Sequence, residues 1–300
     1  MGELRVSYGL SYSDTDHYYI GSERDDGIET NVAPATLGVE QVLGIEYDAA
    51  PRLTLVGEIP FVHTEQSREF GGVAGTMKAS GLGDVRLLAR YWIADRRDGL
   101  RWYASAGLRL PTGESDGTFR AQNGSLVTKD LAAQAGTGNY AGILEVGGSR
   151  PIGPRFALGF SARYVFTPEA TTVNNFRHEL TGNGPEKNSD SDAANARLTL
   201  SAPLGSGNGR WSRLAARVLA DVAWVPYDDL IGETEGFRRA GPIVLAGPGL
   251  SWAPGEAWSL SAAVPLTVYR DVQRNGGNVQ EWSFLLSASY DILPGEAGGS

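Results

Sequence analysis

The sequence lacks cysteine altogether, and it has only two methionines and three histidines among its 300 residues. The absence of cysteine excludes disulfide bridges and thiolate chemistry. No run of about 18 apolar residues occurs, so we expect no transmembrane helix. The formal net charge is −9 at pH 7 and no basic stripe stands out, which argues against a nucleic-acid partner.

The first residues, MGELRVSYG, lack the basic and apolar regions of a signal peptide. If the protein is exported, we therefore expect this chain to be the mature part. The mean hydropathy of −0.22 does not exclude a membrane protein. Strands of a membrane barrel turn half of their residues towards a polar lumen, which lowers the mean.

A strict alternation of apolar and polar residues is most evident in the stretch 81–113. Every second residue from Val85 to Ile93 is apolar, and the charged residues Arg86 and Arg90 stand between them. After a polar turn at 94–99, the same alternation returns over 100–111. Side chains of a strand point to opposite faces at every step, so the stretch predicts an antiparallel hairpin with one apolar and one polar face. A soluble sandwich would bury the apolar face, whereas a membrane barrel would turn it to lipid.

Twelve alternating segments of this kind follow one another along the chain, and their connections decide between the two architectures. The segments run roughly over 3–13, 35–47, 52–65, 82–93, 100–111, 138–149, 155–167, 194–202, 212–226, 242–252, 257–270 and 281–292. Short links such as 48–51 and 253–256 alternate with long ones such as 14–34, 66–81 and 112–137, which we expect to be loops. This is typical of outer-membrane barrels, which have short periplasmic turns and long extracellular loops. An even number of strands places both termini on the periplasmic side.

Aromatic residues near the segment ends agree with a membrane barrel, in which two aromatic rings mark the two membrane–water interfaces. The ring expected near the short links comprises Tyr47, Tyr91, Trp102, Phe156, Trp252, Trp258 and Tyr290. The ring expected near the long links comprises Tyr12, Phe61, Phe166 and Trp224. Aromatics in a sandwich core are the alternative. We predict an all-β fold, a closed antiparallel transmembrane β-barrel over 1–293 with a flexible tail over 294–300.

The hairpin carries two short motifs, Gly81-Leu82-Gly83-Asp84 at its start and Gly107-Leu108-Arg109-Leu110-Pro111-Thr112-Gly113 at its end. In these residues the chain resembles a family of bacterial outer-membrane barrels, the transporters of the phenol meta-degradation pathway type. The resemblance covers about a tenth of the chain. It implies a Gram-negative outer-membrane porin or transporter that passes small solutes, hydrophobic or aromatic in character.

Charged residues on the polar face of the strands are the candidate lumen residues, because rings of charge set the solute preference of a pore. The predicted solute path comprises Arg86, Arg90, Arg101, Arg109, Arg155, Arg163, Glu40, Glu46, Glu58 and Asp84. The hairpin places four arginines but only one acid on its inner face, so an uncompensated excess would favour anionic solutes. The alternative is that these charges pair across neighbouring strands and fill a narrow lumen. That alternative describes a plugged barrel, which would serve as a membrane anchor or a scaffold.

No motif indicates an enzyme, a cofactor or a metal site. A surface hydrolase would need a nucleophile beside a base. His63 with Ser67, or His178 with a nearby serine, would be such pairs, but no spacing singles them out. The acidic loop residues around Asp14 and Asp25 lack the ligand spacing of a calcium loop. The partners we expect are outer-membrane lipid and a small-molecule solute, and the long loops are candidate recognition surfaces for a protein partner.

Overall fold

The computed structural model describes residues 3–27, 35–70, 73–95, 99–120, 124–153, 155–168, 190–205, 211–231 and 240–292. Nearly all of its regular structure is strand, and one 3₁₀ turn lies at Leu131–Ala133. The strands are β1 (Leu4–Thr15), β2 (Tyr18–Gly21), β3 (Glu23–Arg24), β4 (Ala35–Ala50), β5 (Leu53–Phe70), β6 (Val73–Leu82), β7 (Arg86–Asp95), β8 (Arg101–Arg109), β9 (Thr118–Arg120), β10 (Leu126–Thr128), β11 (Ala141–Ile152), β12 (Phe156–Phe166), β13 (Ala193–Pro203), β14 (Leu214–Val225), β15 (Gly241–Trp252), β16 (Trp258–Ala263), β17 (Leu266–Arg270), β18 (Val272–Asn278) and β19 (Trp282–Ile292).

Strand pairing closes the sheet into a barrel, as predicted. Each wall strand pairs antiparallel with the next, in the order β1, β4, β5, β7, β8, β11, β12, β13, β14, β15, β16 with β17, and β19. β19 then pairs with β1 along its whole length, from Ile292 opposite Leu4 to Trp282 opposite Asp14. Within the described residues the wall therefore has twelve positions and no free edge, which leaves no unpaired row of backbone groups to face hydrocarbon.

Short and long connections lie at opposite ends of the barrel, which we call the short-turn end and the long-loop end. The turn between β11 and β12 is among the shortest, and Gly153 adopts a left-handed φ of 62° there, a conformation that glycine takes without strain. At the other end, β9 and β10 form a hairpin, and β2, β3 and β18 form a small sheet. β1 begins and β19 ends at the short-turn end.

Side-chain exposure confirms the facing predicted for the hairpin. Leu87, Tyr91 and Leu108 point outward and are half-exposed, whereas Leu88 and Ser105 point inward and are buried. The outward face is thus apolar and accessible, as a lipid-facing surface is. Among the described residues, no helix is long and apolar enough to cross a bilayer.

The predicted loop over 66–81 is wrong. β5 continues to Phe70 and pairs with β6, from Phe61 opposite Leu82 outward along the hairpin. Gln66 and Met77 are buried there, beneath the segment that contains Val127 and Ala133. Both side chains lie on the face that continues the lumen face of β5. The opposite face carries polar, partly exposed side chains such as Glu65 and Lys78, so the hairpin lacks the apolar outer face of a membrane strand. The predicted tail, 294–300, lies outside the described residues.

Candidate solute path in the barrel lumen

Inward-facing positions of β4, β5, β7, β8, β11 and β12 bring most of the predicted path residues together. Alternation along each strand places Glu40 and Glu46 of β4 on the same inner surface as Glu58 of β5. Arg86 of β7 lies directly opposite Glu58 in the strand register, and the pairing of β7 with β8 places Arg109 opposite Arg86. The register of the sheet, rather than any loop, therefore positions these charges.

Glu58 is the centre of the first group of ion pairs. Arg86 donates to Glu58 at 3.2 Å and to Glu40 at 2.8 Å. Arg163 of β12 donates to both oxygens of Glu58, at 2.8 and 3.1 Å, and its Nε donates to Glu145 at 2.7 Å. Two arginines thus share one carboxylate, and each also holds a second carboxylate.

Glu145 of β11 joins a second group to the first. Tyr103 donates its hydroxyl to Glu145 at 2.9 Å, and Arg90 lies 3.8 Å from the same carboxylate. Arg90 also donates to Glu46 at 3.0 Å, and its guanidinium lies 4.4 Å from the centroid of the Tyr103 ring. We call these paired side chains the lumen network. Its members are Glu40, Glu46, Glu58, Arg86, Arg90, Tyr103, Glu145 and Arg163.

The lumen network crosses the barrel. Arg163 stands on β12 and Glu58 on β5, and three wall strands separate these two strands. Between the levels of Arg86 and Arg90 along the barrel, Val56, Leu88 and Ile143 form a buried apolar cluster that points inward from β5, β7 and β11. At the level of the lumen network, the part of the lumen next to β5, β7 and β8 is therefore filled by side chains.

The opposite part of the lumen is open, and we call it the open half. One cavity of about 340 Å³ is bounded by residues of β1, β4, β13, β14, β16 and β19, and a second of about 290 Å³ is bounded by β11, β12, β13 and β14. Both cavities are lined by Arg197, Thr199 and Arg217. A Cβ atom added to Gly9 would have no heavy atom within 4 Å, and one added to Gly159 would meet only ordinary contacts at 3.9 Å or more.

Asp84 is held at the edge of the lumen by the two short motifs of the hairpin. Its carboxylate accepts from the backbone of Gly113 at 3.0 Å and from both the backbone and the hydroxyl of Thr137, at 2.9 and 2.8 Å. Thr112 accepts from the backbone of Val85 and donates to the carbonyl of Gly83. The motifs therefore fasten the connection after β8 to the break between β6 and β7. Asp84 is buried, so we assign it this anchoring role.

The remaining predicted path residues lie apart from the lumen network. Arg109 pairs with Asp190 of the connection before β13 and lies 3.8 Å from Asp84. Arg101 stacks over the Trp92 ring at 4.9 Å from its centroid, beside a small polar cavity at the short-turn end. Arg155 is exposed in the turn before β12, and no ion pair joins it to the described members of the network.

For two acids of the site, the sequence does not indicate the partners that they meet. Asp190 comes from a loop, so no strand periodicity indicates its partner. Glu145 follows the alternation of β11, but only the pairing of β11 with β8 and β12 shows that it joins Tyr103 to Arg163.

His63 and Ser67, considered above as a base and a nucleophile, do not contact each other. The register of β5 and β6 places His63 opposite Ser80, whose hydroxyl lies 2.5 Å from Nδ1, and Ser67 instead contacts Thr76. Next to them, Lys78 donates to Glu65 at 2.7 Å, and this hydrogen bond lowers the pKa of the Glu65 carboxyl. These contacts join side chains that lie opposite each other in the hairpin. His178 lies outside the described residues.

Comparison with known proteins shows similarity of fold to solved structures of outer-membrane proteins. No family model and no curated protein sequence matches the chain. The chain is similar to an outer membrane channel from Pseudomonas putida F1, with a TM-score of 0.67 and 13% sequence identity over 97% of this chain and 96% of that one. It is also similar to the β-domain of a Bordetella autotransporter, Brka, with a TM-score of 0.50 and 16% identity over 95% and 98% of the two chains. The chain thus has the fold of outer-membrane β-barrels.

Proposed function

We propose that this chain is a channel in the outer membrane of a Gram-negative bacterium, through which small solutes cross. The open half of the lumen carries the proposal. The two cavities meet at Arg197, Thr199 and Arg217, and residues from both halves of the chain line them. A barrel whose only task is to anchor a partner needs no such space, so the open half favours a channel over the plugged scaffold.

The membrane location is supported by the outward face of the barrel. Leu198, Val218 and Leu250 are each exposed to about half or more of their surface, on three consecutive wall strands. A soluble protein rarely exposes a continuous apolar surface of this kind. Since the strands form a closed wall, lipid is the surrounding that satisfies both this surface and the backbone.

For the solute, we propose a small organic compound with an apolar or aromatic body. The support is the resemblance of the hairpin motifs to transporters of the phenol meta-degradation type, together with the mixed lining of the first cavity, where Leu219 and Leu285 lie among hydroxyl-bearing side chains. The excess of arginine predicted for the hairpin does not support an anionic solute. Arg86, Arg90 and Arg109 each lie within 4.0 Å of a carboxylate, so their charges are compensated within the protein.

Conductance and solute entry test the proposal together. The purified parent protein is inserted into planar bilayers for current measurement and into liposomes for swelling in arabinose or in the trisaccharide raffinose. We expect a steady current above that of the empty bilayer and faster swelling in arabinose than in raffinose, because cavities of a few hundred Å³ admit only small molecules. Absence of both current and swelling would support the plugged scaffold, with its long loops as the surface for a protein partner.

A further inference from the structure

One arginine of the lumen stands outside the ion pairs described above. Arg217 lies on the inner face of β14, opposite Ser201 of β13 and Gly249 of β15. Its neighbour Arg197 is held by both oxygens of Asp221, at 2.5 and 3.0 Å. Among the described residues, no carboxylate lies within 4.0 Å of Arg217, and no side chain or backbone oxygen accepts a hydrogen bond from it.

The surroundings of Arg217 suit a ligand rather than a closed network. Its side chain is half-buried and lines both cavities of the open half. Ser161, Thr199 and Ser201 offer hydroxyl groups on one side of it. Leu219 and Leu285 offer apolar surface on the other side, in the first cavity.

A guanidinium keeps its charge at any physiological pH and offers a planar fork of donors that matches a carboxylate. In the lumen network the donors of every arginine are paired with a carboxylate of the protein. Among the described residues no carboxylate meets the donors of Arg217, which leaves water or a solute to do so. The neighbouring Arg197 is neutralised by Asp221 and adds no net charge. A local positive potential in a confined cavity concentrates anions.

We propose that Arg217, with the hydroxyl groups of Thr199 and Ser201, forms a binding site for the carboxylate of a small organic acid, whose apolar body rests against Leu219 and Leu285. The proposal rests on the proposed channel function and names its solute class. The expected preference for anions is thus assigned to Arg217 on β14 and not to the arginines of the hairpin of β7 and β8. The carboxylate replaces water on the guanidinium, and the hydroxyl groups donate to its remaining lone pairs.

Benzoate and its uncharged analogue benzamide test the site by calorimetric titration of the parent protein in detergent. We expect benzoate to bind and benzamide to bind at least tenfold more weakly, since hydrogen bonds to charged groups contribute roughly tenfold or more in affinity. Arg217→Gln should lose benzoate binding to the same extent, whereas Arg217→Lys should keep part of it. The matched control is Arg213→Gln, because Arg213 is exposed four residues away and donates only to the carbonyl of Gly255.

Equal affinity of the parent for benzoate and benzamide would overturn the proposal, and so would unchanged benzoate binding in Arg217→Gln. Complete displacement of benzoate by equimolar inorganic phosphate would assign the site to anions in general and overturn the organic acid. If Arg217→Gln does not fold, the affinities of the parent for benzoate and benzamide still show whether the site recognises a carboxylate. Conductance of the parent is measured separately, so a parent that conducts but binds benzoate no better than benzamide would refute the site and leave the channel function standing.

Discussion

Arg163 is the side chain whose removal should perturb the lumen most. Its guanidinium contacts Glu58 at 2.8 and 3.1 Å and Glu145 at 2.7 Å, and it is about one quarter exposed, whereas Glu145 is nearly buried. Replacing it in Arg163→Gln leaves two carboxylates facing each other across the lumen.

The expected loss of stability follows from the partners that remain. Breaking a buried ion pair costs about 3–5 kcal/mol when the other charge is left alone. Here Glu58 keeps Arg86 at 3.2 Å, and Glu145 keeps the hydroxyl of Tyr103 at 2.9 Å. We therefore expect Arg163→Gln to lower the free energy of unfolding by about 2–4 kcal/mol, below the upper end of that range.

Urea unfolding of the protein in lipid vesicles, followed by the fluorescence of its seven tryptophans, measures this loss. The control is Arg155→Gln, because Arg155 is exposed in the turn that precedes the same strand. A surface substitution of this kind changes stability by less than about 0.5 kcal/mol. Adding Glu58→Gln to Arg163→Gln should recover part of the loss, since it removes the repulsion between Glu58 and Glu145, and Arg86 keeps Glu40 at 2.8 Å. If Arg163→Gln unfolds within about 0.5 kcal/mol of the parent, the lumen network does not stabilise the barrel.

Three further predictions concern the wall, the motifs and the orientation. Leu158→Arg should lower stability in a bilayer by about 2–4 kcal/mol, and Ser161→Arg far less, because only the first places a charge in hydrocarbon; equal unfolding free energies would contradict the facing of β12. Asp84→Asn should lower the free energy of unfolding by about 1–3 kcal/mol, since an amide has one acceptor oxygen for three donors, and an unchanged urea midpoint would contradict the anchoring role. A cysteine at Asp26 should react with an impermeant maleimide on intact cells and one at Ala50 should not, and the reverse pattern would overturn the orientation.

The barrel could be predicted from the sequence because its signal is repeated along the chain. Alternation such as that from Val85 to Ile93 predicts a strand and shows which side chains share each of its faces. The lengths of the links predict how the strands are connected. The exception is the hairpin of β5 and β6, whose outward face carries polar side chains such as Glu65 and Lys78 instead of an apolar surface for lipid. Hydrophobic alternation reports the environment of a strand, so it fails where that environment is not a membrane.

The lumen could be predicted only in part. Periodicity places Arg86, Arg90 and Glu58 on the inner face, but it does not state which arginine meets which acid. The contact of Glu58 with Arg163 crosses the barrel between strands that are not neighbours, and its residues are 105 positions apart in the chain. Such a contact depends on the curvature and closure of the whole sheet. For the same reason, Arg217 could be distinguished from the other arginines only after the partners of all of them were known.

A channel in the open half of the lumen is the central claim, and a side chain placed in that space tests it most directly. Gly9 faces the first cavity with nothing within 4 Å of an added Cβ, whereas Gly57 faces outward with room beside Leu87. The measurement is the single-channel conductance of the parent, Gly9→Phe and Gly57→Phe in planar bilayers. We expect Gly9→Phe to reduce the conductance by at least half and Gly57→Phe to leave it unchanged. Equal conductance in all three proteins would place the solute path elsewhere and contradict the claim.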